Sequence, residues 1–265
     1  MTRMQIVVTS IAVLLLLGLY FGPDTKPRKQ RELEKVRALQ AETASVDVLR
    51  QQAKSELSAP QRGEIALIEQ RISALPEDDP QRIEAFKALS GKWYEYRYPA
   101  LAGAYAQNIA EQLDTEETWS IAGTTYAICL QTTQEERIRN FCTTRAVAAF
   151  ENAISLNPDN VTHRVNLALC YAENPPQNEP MKGILMLREL NQKQPENVLI
   201  LNSLARLALR TGQLDRAVER LEEAIAIEPQ NATSVCLLAQ AYASSGDEAK
   251  AATFAQRCEA LRNQQ

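Results

Sequence analysis

Three short segments recur along the chain: "LNPDN" at 156–160, "QPEN" at 194–197 and "IEPQN" at 227–231. Proline cannot continue a helix, so each segment closes one helix and leaves polar residues to open another. Pro195 and Pro229 are 34 residues apart, and Pro158 and Pro195 are 37 apart. A chain that repeats at this length builds a stack of antiparallel helix pairs, each pair covering the apolar face left open by the one before. The composition agrees with an all-helical body: 45% of residues are apolar, 6% are aromatic and only 9 are Gly. The formal net charge of −4 gives no footprint for nucleic acid.

The spacing within each unit is as regular as its ends. Over 198–231, Leu201, Leu204, Ala205 and Ala208 face inward on a first helix that Gly212 ends. Ala217, Leu221 and Ala224 face inward on a second helix, stopped by Pro229. Val235, Leu238, Ala239, Tyr242, Gly246, Ala251, Ala255 and Cys258 fill the same slots in the next unit. Earlier in the chain Trp119, Ala122, Gly123 and Tyr126 are followed by Ala146, Phe150, Ala153 and Pro158. Leu167, Ala168 and Tyr171 are followed by Gly183, Leu187, Leu190 and Pro195, and a looser copy holds Phe86, Leu89, Trp93, Ala102, Ala106 and Ile109. Two helices pack closely only where small side chains meet large ones, which is what these slots alternate. The pattern resembles the tetratricopeptide-repeat family, with Gly183 standing where that family has Ala. The resemblance implies an all-α helix-turn-helix solenoid over 83–265 in five copies: 83–115, 116–160, 161–197, 198–231 and 232–265.

The second copy is too long. An ordinary repeat has nine steps between the positions of Tyr126 and Ala146; this chain has twenty, a surplus of eleven. Thr133-Gln134-Glu135-Glu136 has the form of a capping box. It predicts a second helix from near Gln134 to about Leu156, projecting about 15 Å beyond its partner at about 1.5 Å per residue. Ile138 and Phe141 share a face with Arg145 and are apolar for a free surface. They are expected to pack on the long turn "ENPPQNEP" of the next copy, or to form a second docking face.

After a short tail (1–4), residues 5–21 carry no charge and are mostly Ile, Val and Leu, the pattern of a short membrane-spanning helix. No small-residue cleavage site follows, so an uncleaved anchor is expected rather than a signal peptide. A Pro-broken basic linker (22–30) and a charged helical spacer (31–82) come next. Only Arg3 precedes the span, whereas Lys26, Arg28, Lys29, Arg31, Lys35 and Arg37 follow it; this asymmetry favours a cytoplasmic body, a periplasmic one being the alternative. The layout is similar to that of bacterial tetratricopeptide proteins anchored in the inner (plasma) membrane. Five cysteines, an odd number with no C-x-x-C, point away from a disulfide framework. Cys170 and Cys258 fall in small inward slots and Cys236 near the inner surface.

No nucleotide-binding, nucleophile-elbow or zinc-protease motif occurs. His163, the single histidine, follows the "NPDN" turn at a helix start and is expected at the surface or in the cap region. The resemblance therefore implies a scaffold or adaptor, not an enzyme, with no cofactor. Its partner is a protein or peptide held in the concave groove, and its anchor meets the lipid bilayer. The groove positions include Asn166, Leu169, Asn202, Arg206, Arg210 and Gln240. Asn suits a peptide backbone, and Arg206 with Arg210 suits a carboxylate. The alternative is an oligomeric structural spacer, with 31–58 self-associating as a stalk or weak coiled coil.

Overall fold

The computed structural model describes Gln5, residues 46–77 and residues 79–264, in two compact units divided between Glu56 and Leu57. The predicted span (5–21) and basic linker (22–30) lie outside the described residues, apart from Gln5. Among the described residues no helix is long and apolar enough to cross a membrane. In the first unit, residues 46–56 are helical. The second unit is a run of α-helices: α1 (Ala59–Ala74), α2 (Pro80–Glu95), α3 (Pro99–Leu113), α4 (Glu116–Thr132), α5 (Glu136–Leu156), α6 (Val161–Glu173), α7 (Lys182–Lys193), α8 (Val198–Arg210), α9 (Leu214–Ile227), α10 (Ala232–Ser245) and α11 (Glu248–Arg262).

The periodic turn motif has a specific use. Its final Asn is the N-cap of the following helix: Asn160 accepts from the Thr162 amide, Asn197 from those of Leu199 and Ile200, and Asn231 from that of Ser234. Each cap satisfies amides that have no partner within the helix, worth about 1 kcal/mol. Proline ends one helix and, two residues later, asparagine starts the next. Gly212 and Gly246 close α8 and α10 at φ +72° and +83°, a backbone region that disfavours other residues.

Small residues set the distance between helices. A Cβ at Gly123 would lie 2.8 Å from the Phe150 ring, and one at Gly103 would lie 2.6 Å from the Tyr126 ring. Phe150 and Tyr126 are fully buried, so α5 settles on α4 and α4 on α3 through rings seated over glycines. Gly183 is tighter still. A Cβ there would stand inside the Ala168 carbonyl oxygen and the Ala172 amide nitrogen, so α7 touches the backbone of α6 itself. The Gly in place of the usual Ala follows from that contact. Above it Val165, Ala168, Leu187, Leu190, Ile200, Leu204 and Leu207 form one cluster joining α6, α7 and α8.

Successive pairs stack through their first helices: α4 packs on α6, α6 on α8 and α8 on α10. The first-helix side is therefore the inner face of the stack. One joint differs. Between the first two copies α2 and α4 do not pack in this way, and the second helices α3 and α5 touch instead. Residues 59–74, part of the predicted spacer, pack on the repeats: α1 buries Ile65 fully and lies on α2, with Glu64 2.8 Å from the Lys92 ammonium.

The long second copy departs from expectation in two ways. α5 begins at Glu136, and Thr133 caps no helix start; it ends α4 instead, its hydroxyl accepting from the Glu135 amide at 3.2 Å. The surplus is also shared, because α4 has 17 residues and α5 has 21. Counted in residues, the difference is about 6 Å rather than about 15 Å.

The cysteine expectation is overturned. Cys129 on α4 is bonded to Cys142 on α5, and Cys236 on α10 to Cys258 on α11, with sequence separations of 13 and 22. Residues that face each other across an antiparallel pair are far apart in sequence, so no local spacing announces them. Cys258 is thus a bridge residue rather than a packed thiol. The odd total arises because Cys170 stays free and buried.

The glycines predict a ranking. Gly183→Ala, which meets backbone, is expected to lower stability by about 3 kcal/mol. Gly212→Ala, with nothing within 4 Å of the new atom, carries only the left-handed backbone cost of about 1 kcal/mol. Urea unfolding of both variants checks the order; equal losses would contradict the close approach of α7 to α6.

Candidate functional site

The first helices present one continuous face, and its groups divide into those the fold has used and those it has left open. Leu169 is half-buried against the α6–α8 cluster. Asn166 is half-buried beside it, and Gln240 is exposed on α10. Asn202 is 5% exposed; its amide nitrogen donates to Asn231 Oδ1 across a long 3.5 Å, and its own Oδ1 has no partner. Val165, which the family register also places on this face, is fully buried.

The two arginines have separate fates. The Arg210 guanidinium is held by the Glu173 carboxylate and donates to the Ala172 carbonyl at 3.0 Å, so α8 is tied to the end of α6. Arg206, one turn earlier, is exposed and makes no ion pair among the described residues. The pair read from the sequence as a joint carboxylate site is therefore one structural arginine and one uncommitted one.

An apolar cleft of about 370 Å³ lies where α2 and α4 fail to pack. Buried Ile109 of α3 contributes to it, together with Ser90, Gly91 and Tyr94 of α2 and Ile121 and Thr125 of α4. Tyr94 and Ile121 are 51% and 52% exposed and line the same cleft. The groove positions read from the sequence do not include Ile121. The available signal was two bulky apolar residues, Tyr94 and Ile121, on an otherwise polar face, with Gly91 leaving space between turns. A larger depression of about 620 Å³ over Glu228–Thr233 is lined by one continuous segment and is the outside of a turn.

The overlong copy is tied to its neighbour. Arg139 donates to the Leu130 carbonyl at 2.8 Å and to the Glu173 carbonyl at 2.5 Å, satisfying the exposed ends of α4 and α6 with one guanidinium. Asn174, at the start of the "ENPPQNEP" turn, donates to Asn140 and to the Thr143 hydroxyl, each at 2.9 Å. Phe141 is half-buried, edge-on to the Tyr126 ring with centroids 6.0 Å apart, and the Arg145 guanidinium lies 5.4 Å from its centroid. Ile138 is half-buried.

His163 is not at the surface. It sits in the first turn of α6 but is 3% exposed, with Nε2 2.6 Å from Glu116 Oε1. Glu116 also accepts from Asn160 Nδ2 at 2.7 Å and Asn157 Nδ2 at 2.8 Å. The Asn157 bond first, then those of His163 and Asn160, pull the Glu116 carboxyl down to about 2. His163 Nδ1 is buried without a partner. The first residue of α4 thus holds the whole turn between copies two and three. The sequence shows this histidine beside a cap, but nothing local in it reveals a carboxylate 47 residues upstream.

Two protein families match parts of the chain. The family described as "TPR repeat" matches residues 205–246, and that described as "Tetratricopeptide repeat" matches residues 143–175. The chain is similar to a solved structure of a thermophilic TPR protein, TTC0263 of Thermus thermophilus, at 17% identity over 76% of this chain and 98% of that one, TM-score 0.48. It is similar to PilW, a type IV pilus biogenesis factor, at 15% over 70% and 80%, TM-score 0.45. It is also similar to MamA of Desulfovibrio magneticus RS-1, at 15% over 69% and 96%, TM-score 0.41. No curated protein matches the chain.

The Glu116 node predicts an acid limb. A carboxylate held below its unfolded value stabilises the fold above about pH 4.5, and that contribution is lost as pH falls towards about 2. Glu116→Gln is expected to be less stable than the parent at pH 7 and to converge with it across that window. Thermal melts from pH 7 to pH 2 test this; a constant gap between the two would refute the assignment.

Proposed function

Since the chain is a tetratricopeptide-repeat protein, we propose that it is a membrane-anchored scaffold that holds a protein or peptide partner against its first-helix face. The observation that carries this reading is the set of groups left unsatisfied there. Tyr94 and Ile121 flank an open apolar cleft, and among the described residues Arg206 has no carboxylate and the Asn202 Oδ1 has no donor. Elsewhere on the face Arg210 is taken by Glu173, and Leu169 packs against the core.

These groups specify a ligand. An apolar side chain fills the cleft and removes Tyr94 and Ile121 from water at about 25 cal/mol per Å². A carboxylate at Arg206 repeats, one turn earlier, the pairing that Glu173 makes with Arg210. Exchange of the long Asn202–Asn231 bond for a ligand amide costs little, because a 3.5 Å hydrogen bond is weak. The anchor rests on the uncharged run at 5–21, and the scaffold role needs no reaction.

Ile121→Asp and Arg206→Ala test the face. Both residues are exposed, so thermal stability is expected to change by less than about 0.5 kcal/mol. Full-length protein recovered from detergent-solubilised native membranes is expected to retain its partner about tenfold less well in each variant, as for a side chain worth about 1.4 kcal/mol. Unchanged recovery from both variants would remove the groove as the binding surface.

A further inference from the structure

Four of the five cysteines are joined in two bridges of one kind: each links the first helix of a copy to the second helix of the same copy. Their Cα separations, 6.2 Å and 4.9 Å, lie within the range a disulfide spans. Both sit where the repeat is least like a repeat. The loop closed by Cys129 and Cys142 contains the turn of the overlong copy and Arg139, the guanidinium that reaches Glu173 in the next copy. Cys258 lies on α11, which buries no residue fully and packs chiefly on α10. Its neighbour Arg257 donates to the Pro229 carbonyl. Cys170 stands apart: burial first, then the Glu173 charge, pushes its thiol up to about 12, so it remains a thiol and takes no part in exchange.

We propose that the repeat body is a substrate for thiol oxidation, receiving both bridges from a dithiol–disulfide oxidant, and that it therefore lies on the oxidising, non-cytoplasmic side of the membrane. In each event one cysteine thiolate attacks the oxidant's disulfide, forming a mixed disulfide and releasing one oxidant thiolate. The second cysteine thiolate then attacks the protein sulfur and expels the other. Two protein thiols lose two protons and two electrons, and the oxidant leaves as a dithiol. This placement is opposite to the one favoured by Lys26, Arg28, Lys29 and their neighbours. The charge rule is a bias summed over flanking residues, whereas disulfides persist only where the compartment allows them. The two bridges also differ in access. Cys129 and Cys142 are 1% and 0% exposed, beyond an oxidant's reach once α4 and α5 have closed, so their bond forms before the pair is packed. Cys236 and Cys258 are half-buried at one end of the stack and stay within reach of thiols afterwards.

The test is a thiol count on the full chain in membranes of a bacterial host. Cells are quenched in acid, and the protein is denatured and labelled with a polyethylene-glycol maleimide that adds visible mass per thiol. One label is expected without reduction and five after complete reduction. Mild dithiothreitol applied to the folded protein before quenching is expected to give three labels, falling to one in C236S/C258S. Alkaline phosphatase fused after Gln265 is expected to be active. Five labels without reduction, or an inactive fusion, would overturn the proposal. Equal release of both bridges by mild reductant would overturn the difference in access.

Discussion

The spacing between helices is decided by rings seated over missing side chains. Phe150 occupies the space above Gly123, and Tyr126 the space above Gly103. Gly183 carries the principle to its limit by letting α7 rest on the backbone of α6. Because every pair must meet its neighbour at the same distance for the stack to continue, these contacts govern more than their own copies. The interior tolerates neither an added atom nor a lost ring, since close-packed cores resist changes in volume in either direction. The small residues at Ala146, Ala149 and Ala153, all buried, extend the same rule along α5.

On that frame polar groups choose how copies are joined. Asn160, Asn197 and Asn231 each start a helix, and two of them also reach across a joint. Asn160 binds Glu116, and Asn231 receives the Asn202 amide. Glu116 collects three donors from the turn that follows its own copy. The turn motif that announces the period in the sequence is therefore also the fastener between periods. What it leaves over, on the first-helix face, is available to a partner.

The architecture was legible because it is periodic. Proline spacing, the Trp119–Gly123–Tyr126 slots and the glycine after α8 each act locally, and the helix pairs fall where those signals place them. The features that were missed depend on residues distant in sequence. Cys129 and Cys142 face each other only once two helices have folded back. His163 looks like a cap residue until Glu116 is brought to it. The α2–α4 cleft arises from a contact that does not form, and a family register assumes that it does. The arginines illustrate the limit well: Arg206 and Arg210 are alike in sequence, and only the position of Glu173 separates them. The surplus of eleven residues can be counted in the sequence, but its division between α4 and α5 depends on where α4 ends.

The guanidinium of Arg139 has a mechanical meaning. One side chain, itself enclosed in a covalent loop, grips the ends of two helices from different copies, while Asn174 at the end of α6 reaches back to Asn140 and Thr143 on the helix that carries Arg139. Copies two and three are thereby stiffened into a single block. The joint before that block is made differently: α4 seats Tyr126 over Gly103 of α3, and the first helices α2 and α4 leave a cleft between them. Because Ile121 belongs to that block, the wall it gives to the cleft shared with Tyr94 is held in place from one side.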